Sequence, residues 1–263
     1  NNLFAKQYVS FLFGEAGCGK TWLILDIMLK MSVGENVFAL LPTMPAKVLL
    51  FEGDITDSLL KERLNKFSIL PNDNLMYVNK YNAEYSDVSL ELTTQEGRHG
   101  IEYIISANMP DLIIFDTLIS FINDEKDAVE IKEVVNFLRT TAEKYNCHIL
   151  VCHHCRKKDG KDQRKRLEQS DMIGTSVMNR LASLILGIDR IDNDCDTEGV
   201  ISIKKSWFKE IKPVKKRDKN MTLKDDIKNY FSDVKIALKF IARSSRLKAL
   251  IIFNAITRSE EHT

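Results

Sequence analysis

The chain has 263 residues, of which 44% are hydrophobic and 29% charged, and its formal net charge is +1. That length can bury one large core with an appendage, and the near-neutral charge gives no global field that would attract nucleic acid. The five cysteines lack paired spacing, which excludes a disulfide framework and favours a reducing compartment. No apolar run reaches the roughly 20 residues of a membrane span, and no signal-peptide pattern precedes the first apolar run. We therefore expect a cytoplasmic protein without a membrane partner.

The first motif joins a buried strand to a helix. Residues 8–13 are apolar and rich in β-branched and aromatic types, and an apolar helix restarts near Lys20. The eight residues from Gly14 to Thr21 match G-x-x-x-x-G-K-[ST], the P-loop, whose backbone N–H groups and helix N-terminus bind phosphates. Lys20 is expected to reach the β- and γ-phosphates and Thr21 to hold Mg²⁺. The alternative is a glycine-rich turn that matches by chance. The predicted nucleotide contacts are Gly14, Glu15, Ala16, Gly17, Cys18, Gly19, Lys20, Thr21 and Trp22.

Strands and helices then alternate along the chain. The spacing of apolar residues predicts a buried helix over 22–31 and a buried strand over 47–51, which ends at Glu52. Further along, it predicts a helix, a weaker strand and a second helix over 56–67, 75–78 and 93–107. Alternation of this kind is typical of a parallel α/β sheet.

A second motif ends the next buried strand. Residues 112–116 are four apolar residues followed by Asp116, the Walker B form, in which the carboxylate holds Mg²⁺ through water. A helix facing the sheet is predicted over 128–145, and another buried strand over 147–152 leads into His153 and His154. Because open α/β sheets bind ligands at the carboxyl ends of their strands, this position favours a function for one histidine.

The last third of the chain is more polar. From Arg156 to Arg166 there are seven Lys or Arg residues against two Asp, which predicts a surface loop. Two strands over 182–188 and 200–203 are expected to form an antiparallel edge, followed by a charged linker and a helical tail. We predict an α/β core over 1–212, with a mostly parallel sheet and helices on both faces, and a small C-terminal helical tail over 213–263.

This layout resembles the RecA-like P-loop ATPase core, and more closely the RepA-type hexameric plasmid replicative helicases and related AAA-family ATPases. The resemblance covers roughly residues 8–210. Its specific part is the His153–His154 strand end, the basic loop after it, and Gly174-Thr175-Ser176 leading into a further strand.

The resemblance implies ATP and Mg²⁺ as ligands and a role for several residues. Glu52 would polarise the attacking water as general base, with Asp54 as second choice because Gly53 separates two acids that relatives often place side by side. His153 or His154 would sense the γ-phosphate. The basic loop would contact single-stranded DNA in a homo-oligomeric ring, a hexamer by resemblance, through phosphates rather than bases.

One departure concerns the residue that such rings supply to a neighbouring active site. Relatives carry an Arg immediately before the Gly-Ser-Ser element, where this chain has Ile173. Arg180 is the candidate substitute, and Lys204 or Lys205 matches a second basic position at the end of the last strand. The basic partner expected shortly after Lys205 is absent, since Trp207 stands there.

Three functions stay open. The first is an ATP-hydrolysing ring helicase or translocase that replicates a plasmid, phage or other mobile element. The second is a nucleotide-switched DNA-binding or recombination ATPase with slow turnover, and the third a regulatory ATPase acting on a protein partner. In plainer interpretations the histidines lie on the surface, Glu52 is a solvated acid and the basic loop is merely solvated. Zinc at Cys152–Cys155 is disfavoured, because four adjacent residues cannot converge on one tetrahedral ion.

Overall fold

In a computed structural model, the described residues are 4–38, 44–84, 87–124, 127–155, 167, 171–172, 176–190 and 199–206. The chain divides into two units, Asn1–Val214 and Lys215–Thr263, and the second unit lies outside the described residues. The predicted domain division after residue 212 therefore stays a prediction. The basic loop from Arg156 to Arg166, Gly174 and the predicted helical tail also lie outside the described residues.

In the described residues, seven strands form one sheet in the order β3-β2-β4-β5-β1-β6-β7. All neighbouring strands run parallel except β6 and β7. The predicted α/β class, parallel sheet and antiparallel edge are thereby confirmed. The strands are β1 Tyr8–Gly14, β2 Val48–Glu52, β3 Leu75–Asn79, β4 Leu112–Asp116, β5 His148–His154, β6 Leu184–Arg190 and β7 Gly199–Ser206.

Six helices and a 3₁₀ turn connect the strands in the described residues. They are α1 Lys20–Val33, α2 Asp57–Leu64, α3 Lys80–Glu84, α4 Gln95–Asn108, the 3₁₀ turn Leu118–Phe121, α5 Ala128–Lys144 and α6 Ser176–Leu181. Local signals set their ends: Asp127 caps α5 by accepting hydrogen bonds from Val129 and Glu130, and Gly34 closes α1 at φ +79°. The helix after Glu52 is shorter than the predicted 56–67, because the amides of Lys66 and Phe67 bond three residues back rather than four.

Alternate side chains of each central strand pack on opposite faces of the sheet. Leu50, Ile114 and Leu150 pack with α1 and α2 in one buried cluster. Their neighbours Phe51 and Phe115 pack with α4, α5 and the 3₁₀ turn in the other. The same alternation assigns Glu52 and Asp116, the last residues of β2 and β4, to the α1 face. The two acids therefore end on the face where the P-loop helix begins.

Candidate nucleotide site

Strand order brings the predicted site residues to one edge of the sheet. The carboxyl ends of β1, β5, β4 and β2 lie side by side there. Glu52 is the register partner of Asp116, and Gly14 is the register partner of His154. Glu52 and Asp116 are far apart in the chain and lie on different strands. The parallel register nevertheless sets their backbones about 4.8 Å apart.

The loop between β1 and α1 has the backbone form that phosphate binding requires. Gly17 and Gly19 have φ of +74° and +96°, a region that favours glycine. Gly14 is also constrained, because a Cβ there would lie 2.6 Å from Cys18 Sγ and 3.0 Å from the Ile188 carbonyl oxygen. Gly19 caps α1 without a side chain, and the first turn of α1 carries no acid. The first-turn amides are therefore left to bind an anion.

Lys20 is bound by its own loop. Its side chain is buried, and its ammonium donates to the carbonyl oxygens of Gly14 and Glu15 at 3.0 and 2.8 Å. The charge of Lys20 reaches Asp116, whose pKa it lowers. This arrangement holds a cation at the centre of the loop, between the strand end and the helix.

Glu52 is fully buried at the end of β2. Its Oε1 accepts hydrogen bonds from the amides of Asp54 and Ile55 at 2.7 and 3.0 Å, while Oε2 has no hydrogen-bond partner in the described part of the chain. Burial first, and then the negative charge of Asp116, raise the pKa of Glu52 to about 8, although the two amides lower it. One carboxylate oxygen is thus held in place and the other is left to take a proton.

Asp116 is also fully buried. Burial raises its pKa to about 6, against the lowering effects of the Thr21 side chain and the charges of Lys20 and Arg63. The Thr21 side chain is near enough to lower this pKa, but among the described residues neither carboxylate oxygen of Asp116 accepts a hydrogen bond of good geometry. Buried oxygens of this kind beside a hydroxyl are donors that Mg²⁺ prefers. Thr21 and Asp116 therefore fit the magnesium that the P-loop implies.

Gly53 joins the two acidic strand ends. Its amide donates to the Asp116 carbonyl oxygen at 2.8 Å, and a Cβ at this position would lie 2.5 Å from Ser120 Cβ. The 3₁₀ turn that carries Ser120 also carries Phe121, whose ring packs edge-on against Phe51 and Phe115. A side chain directly after Glu52 would therefore clash with this turn.

The two histidines at the end of β5 differ in environment. His153 is fully buried and is the register partner of Phe13, whose side chain belongs to the α5 face. Strand alternation places His154, which is half-buried, on the α1 face with Asp116. The plainer interpretation as two surface histidines is therefore wrong for His153, and His154 is the one that shares a face with the two acids.

The remaining predicted residues lie elsewhere. Arg180 is exposed on α6. Lys205 pairs with Ile185 near the amino end of β6, because β7 runs antiparallel, and Lys204 lies 3.8 Å from the Asp189 carboxylate. Trp22 is the third residue of α1, and its ring lies 5.8 Å from the ring of Phe67, which follows the end of α2.

Two residues at this edge had not been predicted. Asn79 at the end of β3 donates to the Ile55 carbonyl oxygen at 2.8 Å and so holds the loop after Glu52. Arg63 on α2 acts electrostatically on Asp116. The sequence could have indicated that Arg63 lies beside the buried face of α2. It directly precedes the buried Leu64 and follows the buried Leu60 by three residues.

In the described residues, no group of three or more His, Cys, Asp or Glu side chains lies close enough together to hold a metal ion such as zinc. Cys152 and Cys155 are both buried, and burial raises the pKa of each thiol. None of the described helices is both long and apolar enough to cross a bilayer.

Solved structures with this fold include three chains, each 13% identical to this one in sequence. The flagellar accessory protein FlaH from Methanocaldococcus jannaschii has a TM-score of 0.52, with 77% of this chain and 80% of FlaH covered. A second structure, described as an ATPase domain, has a TM-score of 0.56 over 76% of this chain and 78% of that domain. A DnaB-like replicative helicase, described with its primase interactions, has a TM-score of 0.58 over 77% of this chain and 53% of its own.

The chain thus spans about half the length of that helicase. These likenesses confirm the RecA-like P-loop fold that the motifs predicted. No curated protein matches the chain. A family model described as AAA domain matches residues 1–160, more than half of the sequence. The chain belongs to the AAA domain family, as a P-loop NTPase with a RecA-like fold.

Proposed function

We propose that this chain binds ATP with Mg²⁺ at the carboxyl edge of the sheet and hydrolyses it. The observation that carries the proposal is the register pair Glu52 and Asp116, set on the same edge and face as the loop from Gly14 to Thr21. A P-loop supplies phosphate binding, and two acids beside it supply a metal ligand and a base.

Each residue has a defined task in this mechanism. The loop amides and Lys20 bind the phosphates, and Thr21 with Asp116 holds Mg²⁺, which neutralises charge on the β- and γ-phosphates when bound. Glu52 accepts a proton from the attacking water through its Oε2. A pKa raised to about 8 lies near the operating pH, which favours general-base catalysis by the ionised form of this carboxyl. His154, on the α1 face, is the proposed γ-phosphate sensor.

We extend the proposal to a motor that moves along single-stranded DNA as a homo-oligomeric ring, in the replication of a mobile element. Its support is the resemblance to RepA-type helicases and the fold shared with a DnaB-like replicative helicase. The run from Arg156 to Arg166 follows the His154 strand end and would contact DNA phosphates. Arg180 and Lys205 would act on the nucleotide of the neighbouring subunit.

The test is ATP turnover with and without single-stranded DNA. Lys20→Ala should abolish turnover, and the DNA-dependent gain should vanish when Lys157, Lys158, Arg164 and Lys165 are neutralised. A control neutralised at Lys132 and Lys144 of α5 should keep the gain. Normal turnover in Lys20→Ala would refute the ATPase proposal, and a gain that survives in the loop variant would refute the DNA-coupled motor.

A slower, nucleotide-switched DNA-binding ATPase is the second candidate. Ile173 favours it, because an Arg at this position in relatives would stabilise the phosphoryl group of a neighbouring subunit. Light scattering with ATP separates the two functions. A ring gives one fixed mass, whereas a filament-forming switch gives a mass that grows with concentration. Arg180→Ala should lower turnover without weakening ATP binding if Arg180 replaces the missing Arg, and unchanged turnover would exclude that role.

A further inference from the structure

The last residue of β3 lies beside the proposed base on the sheet edge. Asn79 is the register partner of Glu52, which is itself the register partner of Asp116. Strand alternation places Asn79 on the α1 face with both acids, because Tyr77, two residues earlier, packs against the buried cluster that includes α1. Asn79 is only 2% exposed. A buried amide is costly unless its polar atoms are bonded, so the partners of Asn79 show what it holds in place.

Both polar atoms of the Asn79 side chain are hydrogen-bonded. Its Nδ2 donates to the Ile55 carbonyl oxygen at 2.8 Å, and its Oδ1 accepts from the Tyr81 amide at 3.0 Å. The second bond uses the oxygen at the first turn of α3, which begins at the next residue. A flipped amide would set its NH₂ group against the N–H of Tyr81, so the two partners fix which atom faces Ile55. The donor of Asn79 is therefore directed at the loop that follows Glu52.

Ile55 connects Asn79 to the proposed base. Its carbonyl oxygen is held by Asn79, while its own amide and that of Asp54 donate to Glu52 Oε1 at 3.0 and 2.7 Å. Ile55 thus bonds the neighbouring strand end with its C=O and the carboxylate with its N–H. Because both amides hold Oε1, the oxygen available to water is Oε2, which accepts no hydrogen bond from the described residues.

We propose that Asn79 is a positioning residue for Glu52, holding through Ile55 the two amides that orient the carboxylate for proton transfer. The inference rests on the proposed hydrolysis, in which Glu52 activates the water. A general base must lie within hydrogen-bond reach of the proton it accepts, and a misplacement of about 1 Å costs on the order of 10²-fold in rate. A carboxylate with one oxygen bonded twice keeps its other oxygen in one place.

Asn79→Ser separates the two bonds of the side chain. Serine still accepts a hydrogen bond at the start of α3, but it is too short to reach Ile55. Turnover at saturating ATP and Mg²⁺ should fall about tenfold or more, while the ATP dissociation constant from titration calorimetry should change less than about twofold. Asn79→Ala, which also removes the bond to Tyr81, should lose the same turnover and more stability.

The matched control is Asn74→Ala, just before the other end of β3. The Asn74 side chain also donates to a main-chain carbonyl oxygen, that of Ser32, at 2.9 Å. Its loss should lower the melting temperature without lowering turnover. A double variant of Asn79→Ser with Glu52→Gln should turn over ATP within about twofold of Glu52→Gln alone, because Asn79 acts through the carboxylate. A merely structural role would lower turnover in both backgrounds.

Amide hydrogen exchange without nucleotide measures the hold on the loop directly. The amides of Asp54 and Ile55 should exchange about tenfold or more faster in Asn79→Ser, while those of β4 keep their protection. Asn74→Ala should leave the exchange of both amides unchanged. Melting temperature checks folding, and if Asn79→Ala does not fold, Asn79→Ser decides.

Unchanged turnover or unchanged exchange of the two loop amides in Asn79→Ser would overturn the inference, as would an equal loss of turnover in Asn74→Ala. The failure of the proposed function has a different result. If the unmodified chain does not hydrolyse ATP, but the two amides lose protection in Asn79→Ser, the proposed function fails and the hold of Asn79 on the loop is confirmed.

Discussion

Glu52 and Asp116 end neighbouring parallel strands as register partners, and both carboxyl groups are buried. Both positions disfavour a negative charge, because burial raises the pKa of each carboxyl group and the charge of Asp116 raises the pKa of Glu52 further. A buried acidic pair weakens the folded state, and proteins keep such pairs where they serve chemistry.

The first concerns stability against pH without nucleotide or metal. Because the pKa of Glu52 is raised from 4.5 to about 8 in the folded chain, the folded state holds more protons than the unfolded state within that window. Its contribution to stability is therefore lost as pH rises from about 4.5 to 8. Glu52→Gln should be more stable than the unmodified chain at pH 8, by on the order of a few kcal/mol. Urea unfolding in EDTA at pH 5 and pH 8 measures the free energy of unfolding of both proteins. The same difference between them at both pH values would contradict this prediction.

The second concerns magnesium. Asp116→Asn keeps the size of the side chain but removes the charge that would hold the ion, so the gain in ATP affinity on adding Mg²⁺ should fall about tenfold. Titration calorimetry with and without Mg²⁺ measures that gain. Asp26→Asn, which breaks an ion pair with Lys30 on α1, serves as control. If Mg²⁺ raises the ATP affinity of Asp116→Asn as much as that of the unmodified chain, Asp116 does not hold the magnesium ion.

The third concerns Gly53. In Gly53→Ala the new Cβ would meet Ser120 Cβ at 2.5 Å and the Phe121 ring at 3.0 Å. The 3₁₀ turn must then move, at a cost of about 1–3 kcal/mol, and turnover should fall as Glu52 shifts. Adding Ser120→Gly removes the closest contact, so the double variant should recover part of both losses. Denaturant midpoints and turnover of the single and double variants test this, and a Gly53→Ala variant as stable as the unmodified chain would contradict it.

The fourth concerns His148, far from the proposed site. Its ring is fully buried, and Nδ1–H donates to the Ala5 carbonyl oxygen at 2.6 Å. Burial lowers its pKa from 6.5 to about 4 despite that bond. The contribution to stability is complete above pH 6.5 and is lost as pH falls towards 4, up to about 3 kcal/mol.

In His148→Asn the amide can still donate to Ala5, but nothing titrates. The stability difference between the two proteins should therefore shrink as pH falls from 7.5 to 5, measured by urea unfolding. A difference that stays constant across this range would show that His148 does not titrate as the burial requires.

The sequence predicted the parallel sheet because β2, β4 and β5 are continuous apolar runs, as strands buried on both faces must be. It also placed Lys20 and Thr21 at the start of the first helix, and Glu52 and Asp116 at strand ends. It did not reveal the strand order, which arises from long-range pairing. Only that order shows Glu52 and Asp116 to be partners, although 64 positions separate them in the numbering.

The short elements were missed for a related reason. The 3₁₀ turn after Asp116 and the five-residue helix α3 have no periodicity of their own, and packing against the sheet forms them. The reason for a glycine at position 53, between Glu52 and Asp54, was also not visible in the sequence. A Cβ there would clash with Ser120, and no local sequence pattern predicts that contact. Arg63 was not predicted because the contact of its guanidinium carbon with the Trp22 ring, 5.4 Å from the ring centre, joins two helices that are far apart in sequence.

The most direct test of the account is ATP turnover by Glu52→Gln at saturating Mg²⁺ and ATP, with ATP binding measured on the same sample. Glu62→Gln on the exposed side of α2 is the control. If Glu52 activates the water, its amide variant should bind ATP within a few-fold of the unmodified chain and turn it over about 10²- to 10⁴-fold more slowly. Turnover equal to that of Glu62→Gln would contradict the assignment of Glu52 and the hydrolytic site built on it.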